Sequence, residues 1–105
     1  MTTPEEAFER LLEAESVHPE ISVGRMFGSR VLKVRGKVFA MVVKGRLVVK
    51  LPKENVDQLL SSGIGRSFDP GHGKPSKEWV AVDPKAHRRW PSLIAQARKF
   101  VGSAR

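Results

Sequence analysis

The sequence predicts an α+β domain organised around an antiparallel sheet, on three observations. A valine-rich stretch, "GRMFGSRVLKVRGKVFAMVVKGRLVVKL" (24–51), is punctuated by Arg35-Gly36 and Lys44-Gly45. Glycine supplies the positive φ that tight hairpin turns need, so the stretch reads as three strands near 29–34, 37–43 and 46–51. Segments with helical spacing stand before it, after it and at the chain end. Strands and helices are segregated, which favours an antiparallel sheet with helices laid against it over a parallel βαβ arrangement. The expected order is α-β-β-β-α-β-β-α: five strands in a mainly antiparallel sheet, and three main helices.

Each element has its own signals. Thr3 is placed to N-cap the first helix, with Pro4 at N1 and Glu6 completing a capping box. Phe8, Leu11 and Leu12 form its apolar stripe, while Glu5, Glu6, Glu9 and Glu13 take the wet side. His18-Pro19 ends it, because the residue before proline resists the α conformation. The second helix starts at Pro52, with Val56, Leu59 and Leu60 facing inward, Gly63 as the C′ residue and Ile64 covering the end. Short strands follow near Arg66–Phe68 and at "EWVAV" (78–82), joined by the loop "DPGHGKPSK" (69–77). Asp83-Pro84 is a further helix start, and Pro91 resets it. The last helix is expected from about 91 to 101, with Trp90, Leu93, Ile94, Ala97 and Val101 along its buried stripe. Residues 1–105 make one domain, with a frayed tail at about 102–105.

Composition narrows the function classes. There is no cysteine, which removes disulfides, thiolate zinc sites and cysteine nucleophiles together. The longest apolar run, Val38 to Val43, is far shorter than the roughly 20 residues that span a bilayer, so no membrane role is expected. The acidic start "MTTPEEAFER" carries no signal-peptide core, and a cytoplasmic location is expected. The net charge of +8 is unevenly spread. Residues 1–20 hold six acids and one base, net −5, and residues 21–105 hold five acids and eighteen bases, net +13. That asymmetry suits a polyanionic partner, although charge runs also serve simply to solvate a face.

The stretch "GHGKPSK" (71–77) resembles a phosphate-binding loop at first sight. A G-x-x-x-x-G-K-[ST] loop ending at Gly73-Lys74 would need glycine at 68, which is phenylalanine, and serine or threonine at 75, which is proline. Pro75 also removes a backbone N–H where a phosphate cradle needs one. The dinucleotide pattern fails too, and neither motif sits in a βαβ unit. The loop, His72 included, therefore reads as a turn between the last two strands. Asp69, His72, Asp83 and His87 match no metal-ligand spacing. No nucleophile–base pair is visible, so no enzyme activity and no cofactor are expected.

Two surfaces remain. With two-residue turns, strict alternation places Val31, Lys33, Val38, Ala40, Val42, Leu47, Val49 and Leu51 on one sheet face. Leu32, Val34, Lys37, Phe39, Met41, Val43, Arg46, Val48 and Lys50 then share the other; a one-residue slip would exchange the faces. Phe39, Met41 and Val43 form the apolar centre of this second face, the candidate surface for a homodimer or for a covering helix. Lys74, Lys77, Arg88 and Arg89 are the candidate phosphate contacts should the partner be DNA. Trp79 and Trp90 read as core residues, not as stacking platforms.

"RMFGSRVLKVRGKVFAMVVKGRLVVKL" followed by "FDPGHGKPSKEWVAV" resembles the N-terminal domain of the TfoX/Sxy competence regulators, and more closely their small stand-alone members. The likeness covers about residues 5–102 and rests on Met26-Phe27-Gly28, the glycine-turned hairpins and Lys77-Glu78-Trp79 taken together. The resemblance implies the element order read above, a fold shared with secretion chaperones and YjbR-like proteins. It also implies a regulatory setting: TfoX proteins are linked to transcriptional activation of DNA-uptake genes, and YjbR-like proteins are often called DNA-binding. It carries no catalytic or binding residue. The expected function is a non-enzymatic interaction or regulatory module with a protein partner, a second copy among the candidates. The alternative is weakly specific DNA binding by the basic surface.

Overall fold

A computed structural model describes residues 3–26, 29–69, 73 and 76–103. Helix α1 (Pro4–Glu15) leads into strands β1 (Ile21–Met26), β2 (Ser29–Val34), β3 (Lys37–Val43) and β4 (Arg46–Lys50). Helix α2 (Lys53–Ser62), β5 (Gly65–Ser67), β6 (Trp79–Val82), a 3-10 helix (Pro84–Arg89) and α3 (Trp90–Ser103) follow. The fold is α+β, with an all-antiparallel sheet in the order β1-β2-β3-β4-β6-β5.

The local signals act where the sequence places them. Thr3 accepts a hydrogen bond from the Glu6 amide at 3.1 Å and so caps α1. Arg35-Gly36 (φ 51° and 79°) and Lys44-Gly45 (φ 51° and 77°) are two-residue turns, closed by the pairs Val34↔Lys37 and Val43↔Arg46. Positive φ at both central positions gives a turn whose twist matches that of the strands it joins. Gly63 ends α2 in the left-handed conformation at φ 83°. Pro84 opens the 3-10 helix behind an Asp83 cap, and the chain enters α3 at Trp90-Pro91.

Four expectations change. The sheet has a sixth strand, β1, which pairs with β2 from Ile21↔Val34 to Met26↔Ser29. "ISVGRM" lacks the apolar alternation of a half-buried strand because it is an edge, mostly exposed along its length. Leu60 is 37% exposed and does not face inward. Helix α3 runs to Ser103, two residues past its expected end near 101.

The fourth change concerns the faces. β2 and β3 pair as Val34↔Lys37 and Lys33↔Val38, then as Leu32↔Ala40 and Val31↔Met41. Phe39 is thus the extra residue of a β-bulge, and alternation shifts by one across it. Leu32, Val34 and Phe39 join Ala40, Val42, Leu47, Val49 and Leu51 in one core cluster with α1, α2 and α3. Val31 and Val38 cross to the opposite face, beside Met41, Val43 and Val48. Phe39, fully buried in the helix-side core, is therefore not part of the candidate dimer face; Met41 and Val43 stay on it.

The helix-side core is the main one. Trp90, Leu93, Ile94, Ala97 and Val101 of α3, Phe8 and Leu12 of α1, and Val56 and Leu59 of α2 all pack there. Trp90 is fully buried, and its indole N–H finds no hydrogen-bond partner among the described residues.

Candidate functional site

Among the described residues no strand carries an acid, whereas seven strand positions are basic: Arg25, Arg30, Lys33, Lys37, Arg46, Lys50 and Arg66. The register sorts them. Arg30 lies on the helix side, where its guanidinium donates to Glu9 of α1 at 2.6 Å. Lys33, Arg46, Lys50 and Arg66 stand on the other face, and each is registered opposite an apolar residue of the second cluster. The pairs are Lys33↔Val38, Arg46↔Val43, Lys50↔Trp79 and Arg66↔Ala81. Cross-strand neighbours of opposite charge stabilise a sheet; here no such position holds an acid, and the second neighbour of Lys33, on β1, is Ser22.

The centre of this face is Val31, Met41, Val48 and Ala81, from 0% to 6% exposed. Val38, Val43, Phe68 and Trp79 pack around it and keep part of their surface in solvent. Among the described residues, no helix residue belongs to this cluster. Phe68 and Trp79 meet with ring centroids 6.4 Å apart at 55°. Trp79 is thus a partly exposed residue of the helix-free face, which corrects its reading as core; Trp90 keeps that reading.

Two cations have definite settings. A Cβ at Gly24 would lie 2.7 Å from Lys33 Cε, so the missing side chain lets the lysine stem cross the β1 backbone. Arg46 is only partly exposed, and its Nη1 is buried with no hydrogen-bond partner among the described residues. A buried donor left unpaired costs about 1–3 kcal/mol, more for a charged group. Glu20 and Glu78 directly precede β1 and β6, and Asp83 directly follows β6, with its Oδ1 accepting from the Lys85 amide at 2.9 Å.

Of the candidate phosphate contacts read from the sequence, the three described ones lie at the two ends of β6. Lys77 is exposed in the turn before β6. Arg88 and Arg89 are exposed in the 3-10 helix beyond the other end of that strand. Lys74 and His72 fall outside the described residues. Around them, Gly73 has φ 82°, and the Ser76 amide donates to the Phe68 carbonyl at 3.0 Å, as a loop joining paired strands requires.

The helix layer holds a polar groove of about 300 Å³ between α2 and α3, lined by Asn55, Gln58, Ser62, Arg89 and Gln96 over Leu59 and Leu93. Two of its amides are already engaged: Asn55 Nδ2 donates to Gln96 Oε1 at 3.2 Å, and Gln96 Nε2 to Ser92 Oγ at 3.3 Å. Lys53 Nζ donates to Asp57 Oδ2 at 2.8 Å, and that hydrogen bond, with the charge of the carboxylate, raises the lysine pKa above its ordinary value. Among the described residues, no group of three or more His, Asp and Glu side chains could hold a metal ion. No helix among them is long and apolar enough to cross a membrane.

What sequence reasoning missed is the bulge, and with it the membership of the face. It placed Lys50 and Arg46 correctly, placed Lys33 on the wrong side, and left Arg66 unconsidered. The signal that could have found the set was the imbalance of charge in the strand segments, six bases against Glu78 alone at the start of "EWVAV".

No curated protein matches the chain. The family model of the TfoX N-terminal domain does match, over residues 13–103, and agrees with the motifs, element order and hairpins described above: the chain belongs to the TfoX N-terminal domain family.

Proposed function

We propose that this domain is a non-enzymatic interaction module of a regulatory kind, and that it recognises a polyanion with the helix-free face of its sheet. The observation that carries this reading is the pattern of charge. Four cations ring an apolar centre and, among the described residues, no strand holds an acid. A face lined by one sign of charge concentrates ligands of the other sign and speeds their association. A second copy of the chain matches this face less well. Met41 is only 2% exposed and offers little further burial, and a face-to-face pair would bring Lys33, Arg46, Lys50 and Arg66 of the two copies together.

The test is affinity for inorganic polyphosphate as a function of salt. Binding should weaken linearly on a log–log plot for the native protein. The variant Lys33→Gln/Arg46→Gln/Lys50→Gln/Arg66→Gln should lose most of that slope while keeping its urea midpoint. Lys77→Gln/Arg88→Gln/Arg89→Gln should retain it. The reverse ranking would move the interface to the loop and the 3-10 helix.

A further inference from the structure

We infer that the polyanion is single-stranded nucleic acid, and that Trp79, with Phe68 beside it, is the platform on which a base stacks. This rests on the polyanion reading of the helix-free face. Four side chains on the adjacent strands β4, β6 and β5 and the residue just after them carry it: Lys50, Trp79, Arg66 and Phe68. Lys50 stands directly opposite Trp79, and Arg66 opposite Ala81, two residues further along β6. Trp79 and Phe68 meet as a tilted aromatic pair, each partly exposed. Arg46 lies on β4 four residues before Lys50, about 13 Å away along the strand.

The arrangement separates three classes of polyanion. An acidic peptide would satisfy the cations, but its carboxylates gain nothing from the aromatic rings. Duplex DNA would also satisfy them, but its base faces are stacked on each other and cannot reach a flat sheet. A single strand presents phosphates and free base faces together, and a basic surface carrying aromatic rings suits both. Stacking tolerates any base, so sequence preference should be slight.

The test uses the intact domain and a short oligothymidylate. Trp90 is fully buried, so quenching of indole emission on binding reports Trp79. Trp79→Leu keeps an apolar side chain at the site and removes the platform, and should weaken binding about ten-fold or more. Arg66→Gln, on the exposed edge strand, should lower the salt slope by about 0.7 and serves as the second variant should Trp79→Leu fail to fold. A duplex of equal length should bind more weakly, and polyglutamate should not displace the oligonucleotide. Unquenched emission, an unchanged salt slope for Arg66→Gln, or duplex or polyglutamate binding as tightly as oligothymidylate would overturn the inference while leaving the polyanion reading in place. If no polyanion binds even near about 50 mM salt, both readings fall.

Discussion

Phe39→Ala will lower the unfolding free energy by about 3–5 kcal/mol, the usual cost of emptying a buried aromatic site. Phe39 is fully buried and belongs to the helix-side core with Trp90, Leu93 and Val101. It reaches that core only because the bulge turns it and Ala40 to the same side of the sheet. Strict alternation would put it beside Met41 on the helix-free face, where truncation at a rim position would cost far less. Urea denaturation with an unchanged m-value measures the difference. A loss under about 1 kcal/mol would mean that the side chain is not in the core, and that the bulge is absent.

Arg98→Met will destabilise the fold by about 2–4 kcal/mol, because it strands a buried carboxylate. Glu15, at the end of α1, is 8% exposed, and its Oε2 accepts from Arg98 Nη1 of α3 at 2.5 Å. The same Nη1 lies 3.0 Å from His18 Nε2. A guanidinium only donates, so His18 Nε2 is the acceptor there, and one arginine ties the α1 terminus and the following turn to α3. Removing both charges, as in Glu15→Met/Arg98→Met, should cost less than Arg98→Met alone, because no unpaired ion is left in the interior. A double variant as unstable as the sum of the two single variants would show that the two residues do not act as a pair.

Most of the fold was legible in the sequence because its signals are local. Thr3, the Arg35-Gly36 and Lys44-Gly45 turns, Gly63 and the Asp83-Pro84 start each fix backbone geometry through residues within a few positions, and each acts as read. The edge strand β1 was not legible. It is held by pairing to β2, and an exposed edge imposes no apolar period on its side chains. Leu60 misled for a related reason: it fits the helical stripe of α2 but lies at its margin, more than a third exposed. The candidate face was half legible. Alternation on either side of Phe39 is regular, so Arg46, Val48 and Lys50 fall with Met41 as expected, but a bulge has no signature in a run such as "KVFAMVV". One inserted residue therefore moved Lys33 onto the basic face and Phe39 off it. The DNA-contact set Lys74, Lys77, Arg88 and Arg89 was drawn from proximity in sequence; of the three that are described, β6 holds Lys77 apart from Arg88 and Arg89.

The most direct measurement of where this domain meets its partner is amide chemical-shift mapping by NMR during titration with inorganic polyphosphate at low salt. The polyanion reading predicts shifts concentrated at Lys33, Arg46, Lys50, Arg66 and Trp79, with α2 and α3 unmoved and the whole pattern erased by salt. Shifts centred instead on Arg88, Arg89 and Lys99 of the helix layer, with the sheet face silent, would contradict it.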